Sequence, residues 1–361
     1  MTERSRVLAQ AAQLRAGFEK AGAQPVETSI LQPAETLLDL YGEDIRARAY
    51  ITSDALRGEQ MLRPDFTVPV VQMHMAGGAD PARYTYAGDV FRRQEHDPQR
   101  SSEYMQVGFE VFDGSDPAAA DAEVFALMND AMRHLRVRAV SGDIGLLTAA
   151  VRGLQTTSAR KEALLRHIWR PRRFRSLLHR YAGRNQPSAE RLALLSGHDV
   201  IGHDVPLNGK RTRAEIEARL AVLREDARTP AVSEAEVDLI DALLSVKETL
   251  PFALEHLRDL AVDLPAIDRA VEQLARRTEA LAQRGIKVET LAFEAGFGRT
   301  AMEYYDGFVF AFFAQDRADL PPVATGGRYD ALTRRLGGGR EIPAVGGVLR
   351  PGVMLDLEGA P

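Results

Sequence analysis

In the stretch EYMQVGFEVF, an amide, Gln106, and a carboxylate, Glu110, flank Gly108 at alternating positions. Successive side chains of a β-strand point to opposite faces. These three therefore share one side with Tyr104 and Phe112, while Met105, Val107, Phe109 and Val111 form an apolar side that must enter a core. An amide and a carboxylate around a glycine describe a pocket floor, because glycine lets a ligand approach the backbone. A solvated sheet face fits the same spacing, since antiparallel sheets often wet one side. The pattern recurs. Tyr86, Gly88, Val90 and Arg92 share a face in YTYAGDVFRR, and Tyr305 and Gly307 do so in YYDGFVF. Three strands that each place a glycine beside a polar or aromatic residue favour a ligand platform.

Competing signals are weaker. GFGRTA (296–301) matches a dinucleotide fingerprint, but that motif requires a helix next, and MEYYDGFVFAFF reads as strand. The repeated GHD at 197–199 and 202–204 offers two His and two Asp at a spacing that fits no standard metal motif, so a pair of capped turns is the better reading. RPRRFRSLLHR (170–180) is a concentrated positive run, read first as a solvated helix face and second as an RNA or partner contact. No G-x-S-x-G, H-E-x-x-H or Walker loop occurs, and the absence of cysteine excludes disulfides, thiolate metal sites and Cys nucleophiles.

The elements that must position these residues fall in three zones. The 361 residues suggest about two domains. Residues 1–150 mix helix and strand: an amphipathic first helix, an extended piece at Val26–Leu31, a helix at Ala34–Tyr41 and short strands at Ala49–Thr52 and Glu59–Leu62. Long strands follow at Arg83–Arg93 and Glu103–Asp113, then an Ala-rich helix from Ala118 to about Leu135 and a strand at Arg138–Asp143. Residues 151–286 read as almost entirely helical, with apolar residues three and four apart and prolines between segments. Residues 287–361 return to strands. Strands at both ends of a helical middle imply one α+β domain with a helical insertion. With 46 Lys plus Arg against 51 Asp plus Glu, the chain has no electrostatic footprint for nucleic acid. The N-terminus has no signal-peptide pattern and no apolar run is long enough to span a membrane, so a cytoplasmic protein is expected.

At YAGDVFRRQEHDPQRSSEYMQVGFEVFDG the sequence resembles motif 2 of histidyl-tRNA synthetases, with strand, polar loop ending in Arg, and a strand carrying Q-x-G-x-E. Other pieces follow in the same order. Pro33 matches the motif 1 proline, and LRPDFT (62–67) resembles L-R-P-E-x-T. GDIG (142–145) is similar, MEYYDGFVF resembles the L-D-Y-Y-x-G segment, and GGRYDALTRRLGG with PAVGG leads into motif 3. The resemblance covers 1–150 and 287–361 and implies a class II aminoacyl-tRNA synthetase-like antiparallel sheet flanked by helices. It makes Asp65, Thr67 and Gln106 partners of a histidine's ammonium or carboxylate, and Glu110 and Tyr305, with Tyr304 beside it, holders of its imidazole. Such a hydrogen-bonding site rejects look-alikes by roughly 10⁴. Arg92 and Arg100 would suit phosphate or another anion.

The nucleotide half departs from the family pattern. Gln94 replaces an acidic residue, Thr300 holds an arginine slot with Arg299 one position early, and Arg350, Pro351, Gly352 and Val353 stand where motif 3 reads G-L-E-R. No anticodon-binding domain is expected. A synthetase-like chain with a histidine pocket and a damaged ATP site is similar to the regulatory subunits of ATP phosphoribosyltransferase. That resemblance implies a partner of histidine biosynthesis that pairs with a short-form catalytic chain, forms at least a dimer and takes histidine as feedback effector. It implies no catalytic residue, cofactor or metal of its own, and no tRNA binding. The alternative is a truncated histidyl-tRNA synthetase-like enzyme that still activates histidine.

Overall fold

The computed structural model describes residues 2–41, 45–94, 100–185, 188–196, 209, 211–299 and 304–359. The strands, in chain order, are β1 Gln24–Pro25, β2 Leu31–Pro33, β3 Ile51–Asp54, β4 Gly58–Leu62, β5 Ala82–Phe91, β6 Glu103–Phe112 and β7 Val137–Asp143. They continue with β8 Lys247–Thr249, β9 Ala292–Glu294, β10 Phe308–Ala314, β11 Ala324–Arg328 and β12 Ala344–Leu349. Nine form one sheet in the order β1-β5-β6-β12-β11-β10-β7-β9-β8, and β2-β4-β3 form a second. From β5 to β7 every neighbour is antiparallel, and parallel pairs occur at β1·β5 and β7·β9.

Local chemistry fixes the helices around this sheet. Thr2 caps the helix Glu3–Lys20 by accepting from Ser5 N, and the helix buries Ala11, Leu14 and Phe18. Phe18 meets Phe109 of β6 at a ring-centroid distance of 5.4 Å. Asp116 caps the helix Pro117–Ala131, with proline in its first turn. Val107, Phe109 and Val111 are fully buried on the helix side of β6. Each contributes about 1.5–3 kcal/mol of burial free energy.

Three elements depart from the sequence expectation. The strand read through Tyr305 starts only at Phe308, because the Asp306 carboxylate accepts from the backbone N–H groups of Asp330 and Ala331 and pins the chain in a turn. The extended piece at 26–31 instead lies between β1 and β2 and gives only Leu31 to the latter. Lys247–Thr249, within the stretch read as helical, adds β8 to the edge of the large sheet beside β9. Thr249, the N-cap of the next helix, is itself extended, so the strand runs directly into that helix. The run 170–180 does form a helix, Pro171–Tyr181, with Phe174, Leu178 and Tyr181 buried and most of its arginines outward. No helix among the described residues is long and apolar enough to cross a membrane. The two GHD turns lie outside the described residues.

Candidate functional site

The middle strands of the large sheet and the turn before β10 enclose a cavity of about 460 Å³. That lies within the roughly 300–1,000 Å³ of small-molecule sites. Six of the residues expected to bind a ligand line it: Asp65, Thr67, Arg92, Gln106, Tyr304 and Tyr305. Asp65 and Thr67 open the helix Thr67–Met75, where Asp65 Oδ1 accepts from Val68 N at 3.3 Å. Arg92 follows β5 and donates from Nε to the Pro64 carbonyl at 2.7 Å. Asp65 and Arg92 therefore set opposite charges in one wall. Gln106 is 1% exposed, and its Oε1 has no hydrogen-bond partner. A buried acceptor left this way costs about 1–3 kcal/mol, which a donor on a bound molecule would recover. Tyr305 is buried, its ring 4.9 Å from that of Tyr304, and burial pushes its phenol above the ordinary range.

Glu110 is not part of this lining. It lies beneath the floor, 1% exposed, and its carboxylate is surrounded by donors from the protein itself. Oε1 accepts from Thr67 Oγ1 at 3.1 Å and Tyr86 OH at 2.8 Å, and Oε2 accepts from Tyr329 OH at 2.6 Å. Among the described residues, Glu110 thus meets the cavity's lining through Thr67. The glycines tell a similar story. A Cβ on Gly108 would meet the Tyr86 ring at 2.1 Å, one on Gly88 would meet Arg63 at 2.6 Å, and one on Gly346 would meet Glu110 at 1.4 Å. The space they leave on the strands admits the protein's own side chains. Tyr86 is paired with Gly108 across β5 and β6, so its ring lies over the glycine. The sequence placed Tyr86 only on one face with Gly88, Val90 and Arg92, and the strand pairing supplies its register with Gly108. Tyr329, just after β11, carries no sequence signal of its role.

Glu110 titrates at about 7, raised above the ordinary 4.5 by burial and held back by its three hydroxyl donors. Between those two values the folded chain holds a proton that the unfolded chain has released. The contribution is thus fully present below pH ~4.5 and is lost as pH rises to ~7, by at most about 3 kcal/mol. Asp306 also titrates near 7 because of burial and the neighbouring Asp330. It is common to wild type and Glu110→Gln, so the difference between their denaturation profiles isolates Glu110. The Glu110→Gln profile should be flatter between pH 5 and 7; parallel profiles would refute the assignment.

The basic residues separate. Arg92 lines the cavity, but Arg100 is exposed and reaches the Asp319 carbonyl at 3.4 Å. Arg299 turns away from the cavity: Nε donates to the Ile168 carbonyl at 2.9 Å, and the guanidinium lies 4.9 Å from the Phe174 ring centroid. Thr300 lies outside the described residues. Arg350 lines the cavity, hydrogen-bonded to Tyr104 and donating from Nη1 to the Pro322 carbonyl; burial lowers its pKa.

Behind the sheet runs a buried ion network that the sequence did not announce. Asp121 binds Arg277 Nη1 at 3.0 Å and Arg328 Nη2 at 2.7 Å, Arg277 also pairs with Asp143, and Arg328 pairs with Asp330 at 3.0 Å. Asp143 caps the helix Ile144–Gly153 through Gly145 N at 2.8 Å. Removing one member of such a network leaves a charge uncompensated and costs about 3–5 kcal/mol. Among the described residues no three His, Asp or Glu side chains converge as a metal site.

The histidyl-tRNA synthetase family model matches residues 2–211 and 215–352. The chain is 32% identical to an ATP phosphoribosyltransferase regulatory subunit of Brucella anthropi over 359 aligned residues, 92% of this chain and 93% of that protein. One from Brucella ovis is equally identical over the same shares. A Bacillus halodurans structure described as an ATP phosphoribosyltransferase regulatory subunit/histidyl-tRNA synthetase superposes with TM-score 0.69 at 22% identity, covering 99% of this chain and 80% of that one. A histidine–tRNA ligase subunit of Alicyclobacillus acidocaldarius superposes with TM-score 0.61 at 24% identity, covering 99% and 94%. The fold is thus the expected class II synthetase-like α+β fold.

Proposed function

The chain belongs to the histidyl-tRNA synthetase family, in its branch of ATP phosphoribosyltransferase regulatory subunits, and from that premise we propose that it regulates the first step of histidine biosynthesis by sensing histidine, without catalysis of its own. Its partner is the catalytic chain of that transferase, in the short form that depends on a second subunit. The observation that carries the reading is one cavity whose lining joins an acid, an unpartnered acceptor and two guanidinium groups. Asp65, Arg92 and the unpartnered Gln106 Oε1 are the groups an amino-acid zwitterion needs, an acceptor for its ammonium and a cation for its carboxylate. Arg350 lines the same cavity, near enough to Arg92 for their charges to interact, at the position where the family's glycine leaves room for ATP.

The proposed arrangement includes self-association. Ile30, Leu31, Tyr50 and Ile51 are exposed on or beside the edge strands β2 and β3, next to Pro33. Clustered exposed apolar residues mark interaction surfaces, and here the proposed occupant is a second copy. Mixing this chain with a short-form catalytic chain should raise phosphoribosyl transfer, and added histidine should inhibit the mixture. Sedimentation of the complex should show an even number of regulatory chains. No change in transfer rate on mixing would refute the reading.

A further inference from the structure

A second hollow, of about 450 Å³, lies between the helix Pro171–Tyr181 and the turn that carries Arg299. Its charged walls are Arg172, Arg175, Arg299 and one carboxylate, Asp241, with His179 and Asn185 among the polar residues beside them. Asp241 sits 3.7 Å from Arg175, at the outer limit of an ion pair. Arg299 is 6% exposed, and its Nη2 is buried with no hydrogen-bond partner. His179 Nε2 and the neighbouring His167 Nδ1 are likewise buried without partners. An adjoining hollow shares Arg172, Ser176 and Asn185 and adds Arg173, Arg180 and His167.

These observations share one physical deficit. A buried guanidinium N–H without an acceptor loses hydration and gains nothing in return. Burial and the nearby Arg175 lower the Arg299 pKa to about 10, and burial together with four arginines holds His167 below its ordinary value. One carboxylate does not balance three arginines around the hollow. The missing element is a compact group rich in acceptor oxygens and carrying more than one negative charge. A phosphoryl group supplies both, and arginine forks match its geometry.

We propose that this hollow is a binding site for a small oxyanion of the phosphate class, separate from the cavity lined by Asp65 and Gln106. Arg299 forms the inner wall, and Arg172 and Arg175 form the mouth. The anion is held either as the free ion or as the phosphoryl end of an esterified metabolite. The proposal is independent of the histidine-sensing reading.

Calorimetric titration of the 361-residue chain with orthophosphate, ribose 5-phosphate and succinate tests it. Orthophosphate or ribose 5-phosphate should bind saturably at one site, with the tighter of the two identifying the source. Arg299→Met and the mouth variant Arg172→Gln should each weaken binding by about tenfold or more. The mouth variant keeps the test open should the buried substitution compromise folding. Arg219→Gln, on another helix, and Arg92→Gln, in the other cavity, should leave binding within about twofold. Absence of saturable binding would overturn the proposal, as would succinate binding as tightly as phosphate. Equal weakening by Arg219→Gln would reduce the effect to diffuse charge, and loss in Arg92→Gln alone would move the anion to the other cavity; either result overturns it.

Discussion

Supplied with histidine, ATP and labelled pyrophosphate, this chain should exchange pyrophosphate at least about 10⁴-fold more slowly than a catalytic histidyl-tRNA synthetase. Amino-acid activation develops charge on the α-phosphate, and the enzyme must meet that charge with donors already in place. Losing one such donor costs roughly 10²–10³ in rate. Two positions that carry arginine in the family are Thr300 and Val353 in this sequence. Arg299, the neighbour that could have substituted, is committed elsewhere through its bond to the Ile168 carbonyl. Val353 sits in the first turn of the helix Pro351–Glu358, with its side chain against the core. Arg350 adds a steric term, since a guanidinium tied to Tyr104 and Pro322 fills space that a nucleotide would need. Arg92 remains in the cavity and is the best argument for residual activation. Exchange within about tenfold of a true synthetase would show that Arg92 suffices, and the chain would have to be read as an enzyme.

Asp65→Asn should weaken histidine binding by roughly 30- to 150-fold and abolish histidine inhibition of the reconstituted complex, while phosphoribosyl transfer without histidine stays unchanged. A hydrogen bond to a charged group is worth about 2–3 kcal/mol, which converts to that factor. Asparagine is the informative choice because its carbonyl oxygen can still accept from Val68 N and keep the start of the helix Thr67–Met75 in place. In the proposed arrangement sensing and transfer would sit in different chains, so their coupling could be cut without touching either chemistry. Glu110→Ala is the less specific companion. It leaves the hydroxyls of Thr67, Tyr86 and Tyr329 without their common acceptor, so it should lower stability as well as affinity. Unchanged inhibition in Asp65→Asn would place the sensor outside this cavity.

Strand parity made much of this site legible, because period two is a hard geometric fact. Gln106 and Glu110 do share one face of β6, with both side chains buried. Parity cannot say what fills the space above a strand, however. Depth along the strand decides that Gln106 lines the cavity while Glu110 lies under it, and depth depends on partners distant in sequence, such as Tyr329. Similar limits apply to Arg299. Its spacing from Tyr305 put it near the arginine slot, but the buried carbonyl of Ile168 draws it to the other side of the turn. The helices were read from local apolar spacing and the prolines between segments, and the Ala34–Tyr41 helix falls on its expected residues. β8 was missed because three residues at a sheet edge carry no periodicity to read.

The ion network through Arg277 bears on how far this chain could be pared down. Deleting 151–286 and rejoining the flanks looks reasonable from the sequence, which makes that stretch an appendage. Such a minimised protein would lose Arg277, leaving Asp143 without its arginine and Asp121 with Arg328 alone, all inside the core. It would also lose β8 and uncover the edge of β9, an invitation to strand-to-strand aggregation. A viable trimmed version must therefore resume by residue 247, so that the strand and the helix Asp268–Gln283 travel with the core rather than with the segment removed.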